Sequence, residues 1–428
     1  MIVTVALLVL LALLLLSIPV AATLAALGLS LGGIFSPFPL YRAIGEIAWS
    51  AGTDFLLLTI PLFVLLGEIL LRAGIAERTY RALYLWLSWL PGGLLHANIA
   101  TSALFAATSG SSVATAATIT TVALPQARKF GYAESLFSGS IAAGGTLGIL
   151  IPPSINLIVY GFLTNVSIPR LFLAGIVPGI LLALLFMACI VVICLVNPKI
   201  AGRRVETTWA QRLGSLKDLL PVLFIFVIVI GSIYAGLATP TESAALGVIT
   251  ALVIAASYRR LNLQVLRDVV EGTMRTSGMI MLILLAAYFL NFVLASIGLT
   301  TMLTEFVNGL DMTPMATMAV IIAMYVVLGF FVETLSLMVI TIPIVAPVVT
   351  SLGFDPIWFG ILLILLIEMA LITPPVGLNL YVVQGIRNRG SISEVMIGSI
   401  PFVIMIALMI VAMLVFPNMA LYLTQFVN

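Results

Sequence analysis

The stretch GTLGILIPPSINLIVYG, Gly145–Gly161, decides the fold. Its flanks read as a membrane-spanning helix, yet Pro152, Pro153 and Asn156 interrupt it. Proline in a helix interior removes a hydrogen bond and clashes with the preceding turn, at about 3 kcal/mol or more. In hydrocarbon the freed backbone groups have no water to turn to. A break there needs a reason.

The surrounding chain is as apolar as the stretch. Of 428 residues, 62% are hydrophobic and 8% charged, with mean hydropathy +1.28; globular chains carry about a quarter charged residues. Met1–Leu16, Leu219–Gly236 and Phe402–Phe416 are nearly uncharged and, with flanking sequence, meet the roughly 20-residue requirement for a span. The fold class is therefore an all-α polytopic membrane protein. The N-terminal apolar run lacks a positive leader and continues past Pro19 to about Leu29, so it reads as a first span and not as a cleaved signal. No hydrophilic stretch offers a soluble catalytic module, and the absence of any Gly-Lys dipeptide excludes a phosphate-binding Walker loop. The net charge of +2 gives no reason to expect a nucleic-acid partner. Cys189 and Cys194 share one apolar helix without histidine or acid neighbours, so they read as core residues and not as a metal site.

Turn and charge signals place spans near 2–29, 53–72, 133–164, 172–196, 219–236, 240–258, 276–297, 356–385 and 399–425. Two regions, 94–128 and 313–350, read instead as re-entrant hairpins with polar tips. Sixteen of the 18 Lys and Arg residues then fall on one side, leaving only Arg42 and Arg170 opposite. That asymmetry marks the cytoplasmic side and predicts a cytoplasmic N-terminus and an outward C-terminus. Turning the first hairpin into a single crossing would destroy it.

The chain also repeats. At an offset of 222, Pro125 falls on Pro347, Gly131 on Gly353, and Pro152-Pro153 on Pro374-Pro375. Slightly different offsets match Pro19 to Pro240, Arg42 and Glu46 to Arg267 and Glu271, and Gly74 to Gly298. The span 219–236 has no counterpart in this register and reads as a linker, which inverts the second half. Inverted repeats with interrupted helices are a mark of secondary transporters. The expected organisation is a first-repeat scaffold with an interfacial arm over 1–92 and first-repeat transport elements over 93–198. A loop and linker follow over 199–239, then second-repeat scaffold over 240–311 and second-repeat transport elements over 312–428.

Each half offers a hairpin tip and a helix break. A broken helix presents C-terminal carbonyls that favour a cation and N-terminal amides that favour an anion. The hard oxygen ligands expected here suit Na⁺. The candidate Na⁺ ligands are Ser109, Gly110, Ser111, Gly148, Pro152 and Pro153 in the first half. Those of the second half are Glu333, Thr334, Thr373, Pro374 and Gly377. Ser111, Ser112, Asn156, Thr334 and Asn379 are the candidate substrate contacts, although both asparagines can equally cap the backbone beside the breaks. Glu368 stands where it can support the second break, whereas Glu242 and Asp54 read as helix-start acids and Glu68 as a partner of Arg72. His96 reads as structural. Ile75–Leu90, with arginines beside tyrosines and tryptophans, reads as an amphipathic interfacial helix.

ALFAATSGSSVATAATI, GTLGILIPPSINLIVYG, TPTESAALGV and ITPPVGLNLYVVQGI together closely resemble the large membrane subunit of TRAP transporters, the tripartite ATP-independent periplasmic carriers. The resemblance covers essentially the whole chain. It implies an elevator-type symporter carrying Na⁺ and an organic acid such as a C4-dicarboxylate or sialic acid. It also implies a small four-helix membrane subunit, a periplasmic substrate-binding protein and residence in a bacterial or archaeal inner membrane. On that resemblance, Na⁺ sits where Ser109–Ser112 meets Gly148–Pro153 and where Glu333–Thr334 meets Thr373–Gly377. A stand-alone Na⁺/dicarboxylate symporter of similar build is the alternative. An intramembrane serine protease pairing Ser111 or Ser112 with His96 fails on their separation along the hairpin, so no enzyme is expected.

Overall fold

The computed structural model describes residues 2–16, 18–203, 206–310 and 312–426, and their side chains apart from those of residues 3, 4, 7, 11, 14, 15, 106–109 and 308. In the first half α1 (Ile2–Leu15), α2 (Val20–Phe35), α3 (Ile44–Gly52), α4 (Thr59–Arg72) and α5 (Ile75–Leu87) precede a hairpin. The hairpin is α6 (Leu94–Ser109) and α7 (Ser112–Phe130); a broken pair, α8 (Glu134–Leu150) and α9 (Ile155–Thr164), and α10 (Ile168–Val196) follow. The second half opens with α11 (Trp209–Tyr234), α12 (Pro240–Ser257), α13 (Leu263–Ser296) and α14 (Leu299–Asn308). Its hairpin is α15 (Pro314–Gly329) and α16 (Thr334–Ser351), its broken pair α17 (Pro356–Ile372) and α18 (Leu378–Arg387). It closes with α19 (Ile392–Val415) and the short α20 (Asn418–Leu421). Among the described residues eight helical segments are long and apolar enough to cross a membrane.

Two expectations are corrected. The run 2–29 is not one helix: Pro19 is extended (φ −52°, ψ 139°), and a residue before proline is pushed out of the helical region, so α1 and α2 separate. The region 219–236 is not an unmatched linker either. At the offset that pairs Pro19 with Pro240, α1 falls on the last half of α11, and α11 packs on α12 as α1 packs on α2. With α3 and α4 counted together as the counterpart of the long α13, each broken pair counted once and the short α20 left aside, each half holds five segments besides its arm and hairpin, an odd number, and the inversion stands.

The repeat shows in the packing. Scaffold helices pair across the halves, α2 with α13 and α4 with α12. The arms α5 and α14 each start after a left-handed glycine, Gly74 (φ 70°) and Gly298 (φ 71°), a conformation that other residues adopt at a cost. They rest against α7 and α16 respectively, so each arm braces its own hairpin. Arg78 lies 4.2 Å over the Tyr258 ring and Trp86 donates to the Arg212 carbonyl, which fixes α5 to its neighbours.

Between the hairpins, α8 and α17 are buried along nearly their whole length. A Cβ on Gly139 would collide with the Gly398 backbone, so α8 and α19 approach as closely as small residues permit. The buried Arg387 bonds Glu134 at 2.8 Å and also pairs with Glu394, and Arg389 pairs with the same Glu134. These contacts tie α8 of one half to α18 and α19 of the other.

Candidate functional site

The first tip turns at Gly110 (φ 60°). Ser111 is extended and caps α7, its Oγ accepting from Ala114 N at 3.4 Å. A Cβ on Gly110 would lie 3.3 Å from the Pro153 carbonyl oxygen, and one on Gly148 would lie 3.1 Å from that of Ser111. The tip therefore seats directly on the first break, so Gly110, Ser111, Gly148 and Pro153 come together. The Ser109 side chain lies outside those described. At the break itself the Pro152-Pro153 bond is cis, and Ser154 bridges the gap by donating to Ile149 O (2.6 Å) while accepting from Leu157 N.

The second tip is capped by Glu333, whose carboxylate accepts from Leu335 N (3.1 Å), Ser336 N (3.0 Å) and Ser336 Oγ (2.8 Å). Both of its oxygens thus hold the first turn of α16. At the second break the Pro374-Pro375 bond is also cis, Gly377 is left-handed (φ 55°), and Thr373 Oγ1 donates to Met369 O. A cavity of about 160 Å³ joins Glu333 and Thr334 to Gly377; Thr373 and Pro374 do not line it.

Asn379 crosses between the halves. Its buried Nδ2 donates to Ser112 Oγ (2.7 Å) and Ala142 O (3.1 Å), while its Oδ1 has no partner among the described residues. Asn156, its repeat counterpart, has a buried Nδ2 with no partner among the described residues and faces a larger cavity of about 690 Å³. That cavity is enclosed by both tips, Gly110–Ala114 and Glu333–Ser336, by Ile155 and Asn156, and by a scaffold wall of Pro19–Ala21 with Thr276–Ile283. Among the described residues no Lys, Arg or His lines it, and the one acid that does, Glu333, is turned onto its own helix. The N-termini of α7, α9 and α16 open onto it, each with a side chain already accepting from its first amides: Ser111 from Ala114 N, Ser154 from Leu157 N, and Glu333 from Leu335 N and Ser336 N.

Several other expectations are settled by geometry. Glu68 pairs with Arg72 at 2.9 Å, Thr239 and Glu242 form a reciprocal capping box, and Asp54 caps a short turn through Leu56 N. His96 bonds the Pro91 carbonyl at 2.7 Å. Glu368 does not support the second break: it is fully buried in α17, and neither carboxylate oxygen has a partner among the described residues. The scaffold wall at Thr276–Ile283 carries no signal in the sequence, because its apolar residues look like any lipid-facing turn.

Residues 7–419 match the family model described as "Tripartite ATP-independent periplasmic transporter, DctM component". The C4-dicarboxylate TRAP transporter large permease protein DctM of Vibrio cholerae is 35% identical over 368 residues, covering 81% of each chain. The sialic acid TRAP transporter large permease protein SiaM of the same organism is 32% identical over 378 residues, covering 87% of each. Among solved structures, the YdaH transporter of Alcanivorax borkumensis matches at a TM-score of 0.59 and 15% identity, over 95% of this chain and 96% of that one, which shows a shared fold. The protein is thus a transport protein and not an enzyme, and it belongs to the DctM-component family of tripartite ATP-independent periplasmic transporters.

Proposed function

We propose that this chain is the permease subunit of a binding-protein-dependent importer that takes up an organic acid by Na⁺ symport with an elevator motion. A C4-dicarboxylate, a sialic acid or a related carboxylate is the substrate class, in keeping with what relatives carry by name. The observation that carries the reading is the large cavity: two hairpin tips and a break meet at one place, with no basic side chain among the described residues that line it. An anion there is held by helix N-termini, by Ser111, Asn156 and Thr334, and by cations bound beside the tips.

The first Na⁺ site joins Ser109, Gly110 and Ser111 to Gly148, Pro152 and Pro153, and the second joins Glu333 and Thr334 to Thr373, Pro374 and Gly377. Ser112 and Asn379 act together, since each bonds the other; they order the first tip for substrate. Na⁺ closes each tip on its break, which completes the anion site between them. The partners are a small four-helix membrane subunit and a periplasmic binding protein, all in the inner membrane with the arginine-rich loops cytoplasmic. That orientation runs from α2 onward, because the separation of α1 from α2 reopens the side on which the chain begins.

Reconstituted uptake tests this. The complex with its small subunit and binding protein should accumulate one candidate acid under an inward Na⁺ gradient. Equal accumulation with K⁺ replacing Na⁺ would refute the symport. Full uptake by this chain alone would favour the stand-alone symporter.

A further inference from the structure

The scaffold wall of the large cavity has a counterpart elsewhere in the chain. That wall consists of Pro19–Ala21 at the start of α2 and Thr276–Ile283 within α13. The repeat offset carries Pro19–Ala21 onto Pro240–Glu242, at the start of α12. The offsets that match Arg42 to Arg267 and Gly74 to Gly298 carry Thr276–Ile283 onto residues 51–59. These two counterparts are neighbours in space: Thr241 Oγ1 meets Thr59 Oγ1 at 2.6 Å and donates to Phe55 O at 3.3 Å. They stand at the opposite end of the scaffold, because the second half is inverted.

This counterpart surface is exposed in the chain by itself. Phe55 is 59% exposed and Leu58 49% exposed, and Asp54, Thr239 and Glu242 beside them are exposed too. A surface meant only for lipid has no use for two carboxylates and a threonine at its centre. Next to it lies an open cavity of about 640 Å³, bounded by Glu46 and Asp54 on the scaffold side and by Phe162 and Asn165 at the end of α9. The broken helix therefore has room to move at this end.

We infer that Asp54–Thr59 with Thr239–Glu242 form a second docking station, on which the tip of the first hairpin seats when the transport elements stand at the opposite face. The internal symmetry assigns the contact. At present Leu335, on the second tip, and Met279, on α13, line one cavity; their repeat counterparts are Val113 and Phe55. The capping box at Thr239 and Glu242 and the cap at Asp54 hold the station's backbone amides, so its shape is set by its own side chains. The motif TPTES thereby gains a role beyond starting a helix. This inference rests on the elevator reading, and its test separates the two.

The test uses paired cysteines in the assembled transporter after Cys189→Ala and Cys194→Ala. One pair is Leu335→Cys with Met279→Cys, the other Val113→Cys with Phe55→Cys; Val113→Cys with Leu58→Cys replaces the latter if it does not reach the membrane. Oxidation in native membranes should consume both thiols of each pair. It should abolish uptake in each, and a reductant should restore it. Free thiols at 113 and 55 (or 58), with the 335–279 bridge forming and blocking uptake, would overturn the second station and leave the elevator standing. A 335–279 bridge that leaves uptake unchanged would overturn the elevator itself.

Discussion

The two tip-and-break devices come from one ancestral unit yet are packed differently. The first is closed: Gly148, Pro152, Pro153 and Ser154 are buried, and the tip's backbone lies against them. The second is open: Pro375, Val376 and Leu378 are exposed, and a cavity separates the tip from Gly377. The asymmetry has an identifiable source. Asn379 reaches from the second break to Ser112 on the first tip, whereas Asn156 makes no matching amide bond to the second tip. Half two thus locks half one. The first tip is seated on its break in this structure, and the second stands off from its own.

The difference can be broken most severely at Gly148. Valine there would push against the Ser111 backbone, an overpacking worth about 1–3 kcal/mol, and should cut reconstituted uptake by about tenfold or more while lowering the melting temperature. Asn379→Ala comes next: losing its two bonds in a buried site costs about 1–3 kcal/mol. Asn156→Ala should raise KM instead, with stability changed by no more than about 0.5 kcal/mol; a comparable destabilisation by both would erase the asymmetry. Gly377→Ala forces a left-handed side chain, at about 1–2 kcal/mol. Since that break is open, its effect should appear chiefly as a higher Na⁺ concentration for half-maximal uptake. Smallest is the pair of caps. Glu333→Ala removes three hydrogen bonds and should cost about 1–2 kcal/mol, and Ser111→Ala, with one long bond, about 0.5 kcal/mol. Equal losses in thermal unfolding would mean that the three bonds of Glu333 hold the second tip no better than the one long bond of Ser111 holds the first.

Much of this was legible in the sequence because the relevant signals are steric. Proline pairs, glycines and capping residues act through their own backbone, so both breaks, both hairpins and the arm α5 follow from local chemistry; the second arm, α14, carries no such reading, although Gly298 matches Gly74. Longer-range pairing was not legible. Nothing local says that Asn379 bonds Ser112. The break between α1 and α2 was hidden by continuous hydropathy, although Pro19 carries its signature. Ile280 and Leu282 could be assigned to a cavity wall only after α13 had been placed beside the tips.

The central claim is that Na⁺ binds where each tip meets its break. The most direct measurement is thermal unfolding of the purified protein in NaCl and in KCl at equal ionic strength. A ligand bound only by the folded state stabilises by RT ln(1 + [L]/Kd), about 2.7 kcal/mol at 100-fold over Kd. The account predicts a melting temperature that climbs with Na⁺ and not with K⁺, and a climb reduced by Gly377→Ala. Identical melting curves in the two salts across the whole concentration range would contradict it.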